Sequence, residues 1–195
     1  MSKELLKRFF SILWDYPSLK KKYFLVKLLK ANFTLNIYTF NSIDNVVDFV
    51  WQYTSPKSAF DIAHAIVPRV KPDIDASAVE SVRCFWIDFD SANLPKVLFD
   101  MASIVVSSGH NFHLYFLLQE ELNVPDFFKL HLLFRHFLKK KFFGVYLLNL
   151  LGPDAFMRTP LTYNRKGTKR RRVSIVKLEE KRWQAKKIIE KVKRL

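Results

Sequence analysis

Two carboxylates separated by one residue end an apolar stretch, "FWIDFD", near the middle of the chain. The stretch predicts a β-strand, in which alternate side chains share a face, so Asp88 and Asp90 would point the same way about 6–7 Å apart at the backbone. That spacing suits one or two hard divalent cations, Mg²⁺ or Mn²⁺, completed by water and phosphate oxygens. The alternative is that the acids end the strand in solvent and Asp90 caps the next helix, and an Asp-x-Asp alone does not decide between the two.

A second candidate is the turn in "SSGHNFHLYF", residues 107–116, which leads into an aromatic strand. Gly109 permits a backbone conformation that other residues resist, and such a turn exposes N–H groups that can receive an anion. Ser108 adds a hydroxyl, and His113 starts the strand at the rim of the sheet. The alternative is a plain hairpin with exposed histidines, because a His-x-x-His pair without further ligands is not a zinc spacing.

A third candidate is the basic stretch "MRTPLTYNRKG", residues 157–167. Pro160 makes the residue before it extended, so Arg158, Asn164 and Lys166 lie in a cationic, polar loop ahead of a predicted strand. Arginine grips phosphate in a bidentate way and lysine adds a mobile point charge. A basic surface loop is the alternative, and it is the commoner meaning of such a run.

The excess of positive charge is concentrated in the last fifth of the chain. The net charge is +15, and residues 154–195 hold 15 Lys or Arg against four Asp or Glu, a net +11. Such asymmetry favours a polyanionic partner, with nucleic acid first. A solvated, lysine-rich surface of a thermophilic protein is the alternative. The DNA-binding candidates are Arg170, Arg171, Arg172, Lys186 and Lys187.

Composition excludes several classes of protein. The 195 residues are 49% hydrophobic, which supports a packed core and argues against disorder. Cys84 is the only cysteine, so neither an intrachain disulfide nor a cysteine-rich zinc module is expected. No apolar run reaches the roughly 18 residues of a membrane span, and the first residues lack a signal-peptide core. We therefore expect a cytoplasmic protein without a membrane partner.

The pattern of elements predicts an α+β fold with a mostly antiparallel sheet. Strands are predicted at 33–40, 60–66, 83–90, 103–108 and 112–118, and again at 170–178. Helices are predicted at the start of the chain, over "SLKKKYFLVKLLK", after Ser42, over 127–141 and at the C-terminus. "FFGVYLLNLL" is apolar throughout and predicts a buried strand.

The order and types of the three motifs resemble the archaeo-eukaryotic primase superfamily, and most of all the small primase-polymerase domains of plasmids and viruses. Asp-x-Asp ends a strand, Ser-Gly-x-x-x-His enters the next, and Arg-x-Pro-x-x-x-Asn-x-Lys follows, over residues 83–166. The resemblance implies a recognition-motif-like sheet with flanking helices, residues 81–177, beside a small N-terminal α/β unit, residues 1–80. A basic C-terminal helix, residues 178–195, would complete the chain.

The resemblance also implies an activity: template-directed nucleotidyl transfer by the two-metal mechanism. Asp88 and Asp90 would hold Mg²⁺ or Mn²⁺. Ser108 and His113 would contact the phosphates of a nucleoside triphosphate, Arg158 and Lys166 would bind its triphosphate, and Asn164 would hold the loop. Single-stranded DNA would be the template, and a helicase or primase subunit is a candidate partner.

The sequence departs from the family pattern in two places. Asn111 stands where the family has a glycine, a mild change because Asn tolerates left-handed backbone. The family also has a third acid ahead of the arginine motif, whereas "FFGVYLLNLLG" has none and Tyr146 stands near that position. Asp154 is the nearest substitute and is the third catalytic candidate. Otherwise two carboxylates suffice, or the site is degenerate.

Two further hypotheses follow from these departures. In the first, the chain is an inactive primase-like subunit or a DNA-binding accessory protein that retains the fold and the charge. Alternatively, it is an unrelated α+β nucleic-acid-binding protein in which the three motifs do not converge.

Overall fold

The computed structural model describes residues 2–30, 33–91, 93–142, 146–147, 152–165 and 170–195. Five helices and eleven strands lie in these ranges, with one short 3₁₀ turn at Ala76–Ala78. In chain order they are α1 (Lys3–Leu13), β1 (Phe24–Lys30), β2 (Phe33–Phe40), α2 (Ile43–Trp51), β3 (Asp61–Ala65), β4 (Ser81–Asp90), α3 (Lys96–Met101), β5 (Ile104–Ser107), β6 (Phe112–Asn123), α4 (Val124–Lys141), β7 (Tyr146–Leu147), β8 (Phe156–Arg158), β9 (Tyr163–Asn164), β10 (Arg171–Arg172), β11 (Ser174–Leu178) and α5 (Ala185–Lys193). The predicted α+β class is confirmed.

Two antiparallel sheets organise the chain. The N-terminal sheet has the strand order β2-β1-β3-β8, and the central sheet has the order β11-β5-β6-β4-β7. A short ribbon of β9 and β10 stands beside them. The pairings between these strands are antiparallel. The central sheet is the recognition-motif-like element that the resemblance implies, and it contains the strands of the first two motifs, β4 and β6.

Helix α4 covers one face of the central sheet. It begins at Asn123, whose side chain accepts a hydrogen bond from the N–H of Asp126, and proline in the first turn suits this start. Phe134 of α4 packs on Phe85 and Phe116, with ring centroids 5.3 and 5.0 Å away. Since neighbouring side chains on a strand alternate, Asp88 and His113 lie on the face opposite to Phe85 and Phe116.

Helix α1 supports the N-terminal sheet from inside the core. Ser2 caps it, and its buried stripe includes Phe9 and Phe10. The ring of His64 on β3 lies 5.3 and 5.5 Å from those two rings. His64 also lies beside Tyr115 of β6, with ring centroids 6.4 Å apart. The two sheets therefore share one core at the point where β3 faces β6.

The helix predicted over "SLKKKYFLVKLLK" is wrong: Phe24–Lys30 is strand β1. β1 lies between β2 and β3, and Leu25, Val26, Leu28 and Leu29 are all buried. A central strand buried on both faces has apolar residues at consecutive positions. Over so short a run that pattern cannot be told from a buried helix by its period.

A later part of the chain completes the N-terminal sheet, because β8, residues 156–158, is its fourth strand. Residues 174–178 form a strand of the central sheet, and the C-terminal helix begins at Ala185. Of the apolar stretch predicted as a buried strand, Tyr146–Leu147 is strand β7, and 143–145 and 148–151 lie outside the described residues. No described helix is long and apolar enough to span a bilayer.

Candidate active site

Asp88 and His113 lie directly opposite each other on β4 and β6. The flanking pair is Trp86 with Tyr115, and directly opposed residues of an antiparallel pair present their side chains on the same face. The register therefore places the Asp-x-Asp strand and the histidine strand side by side. Asp88 is 9% exposed and His113 is 4% exposed, so both side chains are largely removed from water.

Asp90 closes β4 and is exposed, in contrast to Asp88. Its backbone partner across the strand pair is Tyr146 of β7. The position at which the family pattern has a third acid is thus next to the Asp-x-Asp strand, and the residue there is tyrosine. Two carboxylates on one strand face are oxygen donors of the type that Mg²⁺ and Mn²⁺ prefer.

Asp154 does not complete a three-carboxylate site. In the part of the chain that the structure describes, no three His, Cys, Asp or Glu side chains come together as a metal-holding group. Asp154 is exposed, and its charge affects two cationic side chains. Burial lowers the pKa values of Lys27 and Arg69, and the negative charge of Asp154 opposes both shifts. Asp154, the candidate for the missing acid, thus lies near these two cations. Its loop is held at the far end of β3, where Arg69 donates to the carbonyl oxygen of Pro153 over 3.0 Å.

The turn that precedes His113 is closed by its own polar groups. The N–H of Ser108 donates to the carbonyl oxygen of Asn111 over 2.8 Å, and the Ser108 hydroxyl donates to the same oxygen over 3.1 Å. Gly109 has φ of 90°, and a Cβ there would lie 2.5 Å from the Cβ of Arg171. Among the described non-glycine residues only Leu161 has a positive φ, so the Asn111 position does not require the family's glycine.

The ribbon of β9 and β10 holds this turn through two hydrogen bonds to its main chain. The Asn164 side chain donates to the carbonyl oxygen of Ser108 over 2.8 Å. Arg171, which pairs with Asn164 in the ribbon, donates to the carbonyl oxygen of Gly109 over 2.8 Å. The side chain of Asn164 thus contacts the main chain of the turn. Lys166, the other predicted member of this loop, lies outside the described residues.

Arg158 reaches the same site from the N-terminal sheet. It lies on β8 opposite Ala63, and it is close enough to influence His113: burial lowers the pKa of His113 to about 3, and the charge of Arg158 adds to this shift. His113 is therefore a neutral imidazole at physiological pH. A cationic guanidinium and a neutral N–H donor beside a buried carboxylate form an arrangement that can receive a phosphate group next to a metal.

The sequence reasoning missed Asp61, which holds Arg158. Asp61 is 1% exposed, and its Oδ2 lies 2.9 Å from an Arg158 guanidinium nitrogen. Its Oδ1 lies 2.5 Å from the guanidinium of Arg165. The only sequence signal is a single acid at the start of the apolar strand "DIAHAIV". An acid at that place also suits a solvated strand end, so the signal does not identify a partner.

His64 lies within the strand predicted over residues 60–66, and no role was predicted for it. The structure places it in the core, next to Tyr115. It is fully buried, with Nδ1 3.2 Å from the Thr159 hydroxyl and Nε2 3.4 Å from the Tyr115 hydroxyl. Burial lowers the pKa of His64 to about 3, and His113 adds to this shift. His64 is thus a neutral core group that links the two sheets through hydrogen bonds.

The candidate DNA-binding residues fall on two separate surfaces. Arg170, Arg171 and Arg172 are exposed beside the turn that precedes His113. Lys186 and Lys187 are exposed on α5, which packs on α4. Because α4 covers the opposite face of the central sheet, the two lysines lie away from Asp88. The apolar side of α5 is buried, so this helix is also a packing element.

Comparison with known proteins identifies the fold. No family model matches the sequence, and no curated protein matches it significantly. The AEP domain of the cyanophage S-2L primase-polymerase superposes with a TM-score of 0.66 at 13% identity, over 97% of each chain. The primase RepB′ superposes with a TM-score of 0.62 at 12% identity, over 98% of this chain and 62% of the other. The catalytic domain of RepB′ in complex with initiator DNA gives 0.64 and 12%, over 98% and 93%. The chain has an archaeo-eukaryotic primase-like fold.

Proposed function

We propose that this chain is a nucleotidyltransferase of the primase-polymerase type, which joins nucleotides on a single-stranded DNA template. The observation that carries the proposal is the strand register that sets Asp88 opposite His113, with Arg158 beside them. The likeness to a primase-polymerase domain over 97% of the chain supports it. The charge of Arg158, from the third motif, acts on His113, which supports a site shared by the three motifs.

The residues of the site have separate tasks in this proposal. Asp88 and Asp90 would hold Mg²⁺ or Mn²⁺, which when bound neutralises triphosphate charge and lowers the pKa of the attacking hydroxyl. His113, being neutral, donates a hydrogen bond to a phosphate oxygen and adds no charge beside Arg158. Arg158 supplies the fixed positive charge, and its planar fork matches two phosphate oxygens.

Single-stranded DNA is the proposed template, bound by the arginines beside the turn. Arg170, Arg171 and Arg172 are exposed there, and phosphate contacts of this kind are salt-sensitive. One structural neighbour, the RepB′ catalytic domain, is a complex with initiator DNA. Lys186 and Lys187 are on the far surface and are not needed for a template that enters at Asp88.

The proposal is tested by nucleotide incorporation with purified full-length chain. Wild type, Asp88→Asn and the control Asp48→Asn are given primed and unprimed single-stranded DNA, dNTPs or NTPs, and Mg²⁺ or Mn²⁺. Asp48 is an exposed acid on α2 whose ion pair is with Lys3. We expect Asp88→Asn to lose incorporation to background while its affinity for DNA stays at the wild-type value, because the carboxylate does not contact template phosphate. Wild-type incorporation by Asp88→Asn contradicts the proposal.

A second function is favoured by one specific observation. No three acids come together within the described residues, and Tyr146 is the backbone partner of Asp90. A primase-like DNA-binding accessory protein would have such a site. The same assay separates the two functions: a folded wild type that binds single-stranded DNA but incorporates nothing, with either metal and any primer, is the accessory protein.

A further inference from the structure

Asp61 is the centre of a buried cluster that joins two arginines. Its two oxygens are divided between them: Oδ1 accepts from the Arg165 guanidinium over 2.5 Å, and Oδ2 pairs with Arg158 over 2.9 Å. Oδ2 also accepts from the backbone N–H of Arg165 over 3.2 Å. The Asp61 side chain is 2% exposed, and those of the two arginines are each 16% exposed.

Arg165 is committed to holding Asp61 and its surroundings. Its guanidinium donates to the carbonyl oxygen of Phe60 over 2.6 Å and to that of Ser58. With its donors directed at the main chain and at Oδ1, Arg165 fixes the orientation of the carboxylate. Of the two carboxylate oxygens, Oδ2 then remains to pair with the Arg158 guanidinium. By orienting Asp61, Arg165 therefore also fixes the position of Arg158.

We propose that Asp61 is a positioning residue that holds Arg158 in the orientation that receives the substrate triphosphate; this inference rests on the proposed function. The cluster contains two positive charges and one negative charge, so a net positive charge remains for an anionic ligand. Burial lowers the pKa of Arg158 and Asp61 opposes that shift, so the carboxylate also favours the charged guanidinium. An arginine oriented in advance loses less side-chain freedom when phosphate binds.

The proposal separates a positioning role from a merely structural one. If Asp61 acts through Arg158, removing its charge weakens triphosphate binding only while Arg158 is present. If Asp61 only stabilises the fold, the same loss appears whether or not Arg158 is there. A double-mutant cycle on these two residues measures the difference.

The experiment uses Asp61→Asn, Arg158→Ala and the double variant in the full chain. Three quantities are measured: the KM and the kcat for nucleotide, and, by calorimetry, the Kd for inorganic tripolyphosphate with Mg²⁺. We expect Asp61→Asn to raise KM and Kd about 10–100-fold, by analogy with metal sites, where removing a group that orients a ligating side chain has an effect of that size. We expect kcat to change less than KM. In the Arg158→Ala background, Asp61→Asn should change the Kd by less than about twofold.

A matched control is provided by Asp15, which also pairs with two arginines. Its Oδ2 lies 2.7 Å from Arg83 and 2.8 Å from Arg182, and neither arginine belongs to the candidate site. Asp15→Asn should leave the Kd for tripolyphosphate unchanged. If Asp61→Asn does not fold, Asp61→Glu retains the charge on a longer side chain and should show an intermediate Kd, an effect that also disappears in the Arg158→Ala background.

The outcomes distinguish this inference from the proposed function. A wild type that binds tripolyphosphate, together with an Asp61→Asn variant of equal Kd, overturns the inference and leaves the function standing. An equal loss in both backgrounds also overturns it, since Asp61 is then structural. A folded wild type that neither binds tripolyphosphate nor incorporates nucleotide overturns both.

Discussion

Gly109→Ala should destabilise the turn that presents His113. Gly109 has φ of 90°, and an added Cβ would lie 2.5 Å from the Cβ of Arg171. The backbone conformation costs about 1–2 kcal/mol for a residue with a side chain, and the overlap costs about 1–3 kcal/mol. We expect a loss of about 3 kcal/mol in the free energy of unfolding, or roughly 6–12 °C in Tm for a chain of this size. Arg171 must also shift, which weakens its hydrogen bond to the Gly109 carbonyl oxygen.

Thermal unfolding of Gly109→Ala and of Gly109→Ala/Arg171→Gly separates the two costs. The second variant removes the Cβ of Arg171, so it should recover the overlap cost while the backbone cost remains. Arg171→Gly alone is the reference, because glycine in a strand has its own penalty of about 0.5–1 kcal/mol. The affinity for nucleotide should also fall, because the destabilised turn presents His113. A Gly109→Ala variant with the Tm and the nucleotide affinity of the wild type refutes this account of the turn.

Three further predictions concern other parts of the molecule. Asp154→Asn should leave incorporation within about twofold of wild type, since Asp154 is exposed and does not join the Asp88 site; a fall by orders of magnitude, as for a missing metal ligand, contradicts this placement. Acid should destabilise the fold, because burial lowers the pKa of His64 and of His113 from 6.5 to about 3. Below about pH 6.5 the unfolded chain binds protons that the folded chain does not, so stability is complete above that pH and is lost as the pH falls towards 3. Urea unfolding should show a loss of roughly 2 kcal/mol for each histidine between pH 7 and 5, and equal stability at the two pH values refutes it. Lys186→Gln/Lys187→Gln should leave the salt dependence of single-stranded DNA affinity unchanged. Neutralising an arginine that binds phosphate beside the turn should instead lower the slope of log affinity against log salt concentration by about 0.7. A lower slope for the lysine variant places DNA on the far surface.

Features that depend on neighbours within one element could be predicted from the sequence alone. Alternation along "FWIDFD" predicted a strand with Asp88 and Asp90 on one face, and this stretch is part of strand β4. The helix predicted over residues 127–141 is α4, which begins at Val124 after its N-cap Asn123. These inferences succeed because strand and helix periods are set by local backbone geometry, which is the same wherever the element lies.

The tertiary structure decided which elements meet. Nothing local distinguishes β1 from a helix; its place between β2 and β3, with both faces buried, makes it a strand. Asp61 precedes Arg158 and Arg165 by about a hundred residues, and only the pairing of β3 with β8 brings the carboxylate to the arginines. Asp154 is close to Arg158 in sequence, yet its charge acts on Lys27 and Arg69, whereas Arg158 pairs with the distant Asp61. Packing of the core, rather than distance along the chain, therefore sets which of the two acids holds Arg158.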